Sequence, residues 1–116
     1  MSIDEALDHV RQTVPHCDLA GYIDIEAELV LAKSTARPVR QERLDALAAL
    51  AGLLLGDGDA QDGTQAMIAL GDRLVFFLRL PEDPSAVCFG DCRGGAEPDA
   101  VFSAAQEAMT RVQQAL

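Results

Sequence analysis

The first apolar pattern along the chain is helical. Ile3, Ala6, Leu7, Val10 and Val14 recur at three- and four-residue spacing behind the S-x-x-E capping box of Ser2 and Glu5, until Pro15 stops the pattern. Residues 3–14 are therefore predicted as a helix with one buried face. Two short apolar runs follow, Asp18 to Asp24 and Leu29 to Ala32, and read as strands joined around Ile25 to Glu28. The stretch Ile25 to Lys33 also has good helix propensity and lacks the usual turn glycine, so a helical alternative stands beside this hairpin. Ser34 to Pro38 reads as a loop.

A second helix is predicted from about Arg40 to Leu55, with Gly56 in the usual C-terminal position. Its segment LDALAALAGLLL, Leu44 to Leu55, contains one charged residue, Asp45. A surface helix carries a single apolar stripe, whereas one that is apolar nearly all round needs cover on two sides. The domain's own sheet can cover one side. In a chain this short, a partner chain is the natural cover for the other.

The polar, glycine-rich run GDGDAQDGT (56–64) precedes a hairpin: Gln65 to Leu70, a Gly71-Asp72 turn, then Arg73 to Leu80. In the second strand Leu74, Phe76, Leu78 and Leu80 alternate with Arg73, Val75, Phe77 and Arg79. Both faces are apolar at the centre, which calls for helices on both sides of the sheet. Ser85 to Phe89 reads as a further strand, Gly90 to Glu97 as a loop, and Pro98 as the first residue of a last helix with Val101, Ala104, Ala105, Ala108, Val112 and Ala115 on its apolar stripe. The order is α-β-β-α-β-β-β-α, without internal repeat or linker. It predicts one domain over residues 1–116, an α/β chain of the α+β sandwich kind with a five-stranded, mainly antiparallel sheet between helices.

Composition narrows the function classes. At 116 residues and 49 % apolar content the chain can build one core. Nine Lys and Arg stand against 19 Asp and Glu, a net charge of -10, so the summed field repels nucleic acid and anionic membrane surfaces. The N-terminus MSIDEALDHV is acidic where a secretion signal is basic and apolar, and a cytoplasmic location is expected. Cys17, Cys88 and Cys92 are odd in number and form no CxxC pair, which fits reduced thiols. Cys88 and Cys92 on one strand would stand about 13 Å apart, too far to bridge.

The motifs for chemistry fail individually. Asp57, Asp59 and Asp62 evoke a calcium loop, but an EF-hand starting at Asp57 needs glycine where Asp62 stands and Glu where Ile68 stands. Gly56-x-Gly58 has Gln61 in place of the third glycine of a dinucleotide fingerprint and follows a helix. His9, His16, Cys17 and Asp18 lack metal-ligand spacing, and no nucleophile elbow is present. No catalytic residue, metal site or cofactor site is predicted. Lys33, Arg37, Arg40 and Arg43, four of the nine bases, crowd the entry to the second helix; they read either as a solvated helix entry or as a contact patch for an acidic partner.

The element order, together with AGYIDIEAELVLA, RLDALAALAGLLL and AMIALGDRLVFFLRLP, resembles the roadblock / dynein light chain family over nearly the whole chain. That resemblance implies a homodimer in which the central helices pack antiparallel and the third strands pair into one ten-stranded sheet. Carried onto this chain, it puts the interface at Leu44, Leu47, Ala48, Ala51, Leu54 and Leu55 on the helix, and at Ala66, Met67, Ile68 and Ala69 on the edge. Bacterial members commonly partner small Ras-like GTPases, which implies a non-catalytic regulator or platform; a scaffold without a GTPase, or a ligand-binding sensor of the related profilin or longin folds, are the alternatives. The chain departs from the family pattern at Ala27 and Glu28, where a turn glycine is expected.

Overall fold

Ser2 Oγ accepts the Glu5 backbone N–H at 3.2 Å, satisfying one of the amides that a helix start leaves unpaired. The helix it caps, α1 (Ile3–Thr13), buries Ala6, Leu7 and Val10. The computed structural model describes residues 2–56, 63–81 and 83–115. The remaining elements are β1 (Cys17–Asp24), β2 (Leu29–Thr35), α2 (Gln41–Leu55), β3 (Gln65–Leu70), β4 (Arg73–Leu80), β5 (Asp83–Cys92) and α3 (Pro98–Ala115). The five strands form one sheet in the order β2-β1-β5-β4-β3, with every neighbouring pair antiparallel.

The first hairpin forms in place of the helical alternative. Its turn needs no glycine because Asp24 Oδ1 accepts the N–H groups of Glu26 and Ala27, and Glu28 itself takes a left-handed φ of 51°. Three strand boundaries differ from expectation by two residues or more, and one of them is the start of β5, at Asp83 instead of Ser85. β2 runs on through Ser34 and Thr35, which pair with Ala20 and Leu19, and β5 runs on through Gly90, Asp91 and Cys92.

Alternation in the strands sorts the core into two layers. On one side α1 and α3 cover Ala20, Phe76, Leu78, Cys88 and Cys92; on the other α2 covers Leu19, Ile23, Val75, Phe77, Val87 and Phe89. Two cross-strand pairs hold the phenylalanines close to the backbone. Phe89 faces Gly21 and Phe76 faces Gly90 in register, and a Cβ at either glycine would lie 2.2 Å from the opposing ring. Only glycine leaves room for rings packed that tightly.

The Asp57, Asp59 and Asp62 cluster and the Gly58 to Gln61 stretch lie outside the described residues.

Candidate functional site

Helix α2 is tied to the sheet at both ends. At its start Arg43 pairs with Asp91 of β5, and Arg73 of β4 donates to the same carboxylate through Nε at 2.7 Å and to Asp18 Oδ1 through Nη2 at 2.5 Å. Asp91 is almost fully buried, with 3 % of its side chain exposed, and both of its oxygens are taken by guanidinium groups. Burial opposes the charge on Arg73, but its bonds to Asp91 and then Asp18 hold its pKa above the ordinary arginine value. At the other end Arg79 Nη2 donates to the carbonyls of Leu55 and Gly56 at 2.6 and 2.8 Å, placing a cation on the negative end of the helix. The helix is therefore held over the sheet with a fixed rotation about its axis.

That rotation decides which residues face outward. At 3.6 residues per turn, Leu44, Leu47, Ala48, Ala51 and Leu55 fall on one face, and all five are buried against the sheet. Ala46, Ala49, Leu50 and Leu53 fall on the opposite face; Ala46 and Ala49 are exposed, Leu50 is half-buried, and Leu53 is 81 % exposed. Leu54, 38 % exposed, borders this face. Among the described residues β3 ends the sheet and offers an unpaired edge, QAMIAL, with no charged side chain. Among the described residues no helix is long and apolar enough to cross a membrane.

The start of α2 also lines a cleft of about 320 Å³. Its walls carry Arg37, Arg40, Arg43 and Arg73, the carboxylates of Asp18 and Asp91, and the apolar Leu19, Pro38 and Val39.

No family model and no curated protein matches the chain by sequence. Solved structures do match by shape. The roadblock/LC7 domain from Streptomyces avermitilis superposes with a TM-score of 0.74 at 20 % identity, over 98 % of this chain and 97 % of that one. This chain has the roadblock/LC7 fold. MglC from Myxococcus xanthus gives a TM-score of 0.76 at 8 % identity, covering all of both chains. An MglB structure described as having a tetrameric arrangement gives 0.72 at 18 % identity, over 98 % of this chain and 90 % of that one.

Within the roadblock fold the residues expected at a dimer interface divide into three groups. Leu44, Leu47, Ala48, Ala51 and Leu55 are buried against the sheet, so the exposed face of α2 is the opposite one. Leu54 lies on that exposed side. Ala66, Met67, Ile68 and Ala69 lie on the edge strand, the first and third packed toward α2 and Met67 toward the α1/α3 layer. Of the basic patch, Arg37, Arg40 and Arg43 converge on the cleft, while Lys33 is an exposed residue of β2 that does not line it. Sequence reasoning missed Arg73 and Asp91, and weighed Asp18 only as a metal ligand. Their signal was present only in hindsight, as charges set in otherwise apolar strands.

The cysteines are all buried free thiols. Cys17 and Cys92 are register partners on β1 and β5; their hydrogen bond lowers the Cys17 pKa and, with burial, raises that of Cys92. Burial pushes Cys88 up to about 12. Among the described residues no group of three or more His, Cys, Asp or Glu stands ready to hold a metal.

Proposed function

We propose that this protein is a non-catalytic homodimeric interaction module of the cytoplasm, and that its dimer serves as a regulator or platform for a small Ras-like GTPase. The observation that carries the dimer is the outer face of α2. A chain with a charge of -10 leaves Ala46, Ala49, Leu50, Leu53 and Leu54 together on one exposed helix face. Contiguous exposed apolar surface of this kind is characteristic of interfaces.

An antiparallel pair of α2 helices about a two-fold axis near Ala49 and Leu50 sets the large Leu53 of each chain against the small Ala46 of the other. This size match supports close packing. The same two-fold brings the uncharged β3 edges together, extending the sheet and covering its exposed backbone groups. The likeness to an MglB with a tetrameric arrangement supports self-association. The GTPase half of the reading rests on the roadblock resemblance and on the MglB and MglC neighbours.

Small Ras-like GTPases of the host, immobilised in GDP-bound and GTP-analogue-bound forms, test the partner. The expected outcome is retention of the native protein by one GTPase, dependent on its nucleotide. Equal absence of binding to every GTPase in both states would leave a dimeric scaffold and remove the GTPase role.

A further inference from the structure

Four of the nine bases of this acidic chain line the cleft at the start of α2. Two of them are occupied: Arg43 by Asp91, and Arg73 by Asp91 and Asp18. The other two, Arg37 and Arg40, are exposed and form no ion pair among the described residues. The site is held open by local structure. Thr35 Oγ1 accepts the Arg37 N–H at 3.2 Å and donates to the Arg37 carbonyl at 2.5 Å, fixing the backbone that leads to Pro38. Arg40 occupies the N-cap of α2, and its side chain makes no cap bond, so it is left for an outside partner.

We propose that this cleft receives an acidic segment of a partner protein, with a carboxylate held between Arg37 and Arg40 and its apolar neighbours seated on Leu19, Pro38 and Val39. Charge selects an anion: the lining carries four guanidinium groups against two carboxylates, a local excess of positive charge in a protein whose remaining surface repels acidic molecules. Size selects a segment over a single ion. The cleft of about 320 Å³ is many times the ~30 Å³ occupied by one water, and part of its wall is hydrocarbon. Planar guanidinium forks suit carboxylate oxygens, and Asp18 and Asp91 act as positioning residues that hold Arg43 and Arg73 at the wall. This contact is separate from the outer face of α2 and from the β3 edge, so it does not depend on dimerisation or on the identity of the partner as a GTPase.

The test is an NMR titration of the full-length, ¹⁵N-labelled protein with a blocked tetrapeptide carrying two central glutamates between leucines. Its glutamine counterpart and inorganic phosphate serve as the other two probes. Saturable shifts centred on Arg37, Val39 and Arg40 and on the Arg73 Nε–H are expected with the glutamate peptide, with binding at least tenfold weaker for the glutamine peptide and for phosphate. A variant carrying Arg37→Ala and Arg40→Ala keeps the native spectrum elsewhere, because both side chains are exposed, and loses at least tenfold in affinity. Absence of saturable shifts, equal binding of the glutamine peptide, tighter binding of phosphate, or unchanged affinity in the double variant would each overturn the proposal.

Discussion

At the residue scale, the structure turns on a few side chains whose surroundings change their chemistry. Cys88 is the clearest case. Burial between β5 and the α1/α3 layer disfavours its thiolate and raises its pKa from 9.0 to about 12. A group raised in the folded state contributes stability that is complete below its unfolded value and is lost as pH climbs toward the folded one. Between about pH 9 and 12 the unfolded chain gives up this proton while the native chain keeps it. Urea unfolding at a series of pH values should therefore show the native protein losing up to about 1.4 kcal/mol per pH unit more than Cys88→Ala in that window. Cys17 and Cys92 remain in both proteins, so the difference in slope reads Cys88 together with its interaction with Cys17. Parallel pH slopes would show that Cys88 ionises as easily folded as unfolded.

At the scale of the elements, α2 is the one whose placement has functional weight, and its two ends are fixed by ionic contacts. Replacing Arg79 by Met keeps the hydrocarbon stem but removes the donors to the Leu55, Gly56 and Gly63 carbonyls. A loss of about 1–3 kcal/mol is expected from chemical denaturation, as for hydrogen bonds made by a charged group, with faster amide exchange in the last turn of α2. Unchanged stability and exchange would show that Gly56 alone ends the helix. The same element shows where sequence reading succeeds and where it stops. The boundaries of α1, β3 and β4 follow from caps, turn residues and period, because there each local signal agrees with the packing. The existence of α2 and its need for two covers are equally plain in LDALAALAGLLL. Its inward face is not, since Ala and Leu lie on every side and no polar stripe points outward; only the bonds from Arg43 and Arg79 settle the rotation. Asp91 hides the end of β5 for a related reason. An aspartate after a glycine reads as loop, and two arginines from 18 and 48 residues away make it a buried strand residue. Glu28 hides the first turn, because a glutamate in the left-handed region has no signature in sequence.

For the whole molecule, the two-layer core explains why this small chain both folds and remains unfinished as a surface. Helices α1 and α3 complete one side of the sheet, whereas among the described residues α2 alone covers the other and leaves its own outer face and the β3 edge without cover. In the proposed dimer a second copy would cover both at once. The most direct measurement is the solution mass, by light scattering after size exclusion, of the native protein and of Ala49→Glu. Ala49 is exposed at the centre of the outer face, so a glutamate there leaves the protomer core intact, unlike one at the buried Leu47. The proposed dimer has twice the 12.4 kDa chain mass, and the variant is expected as a folded species of 12.4 kDa. A native protein that is monomeric at micromolar concentration, or an Ala49→Glu variant that keeps the doubled mass, would contradict it.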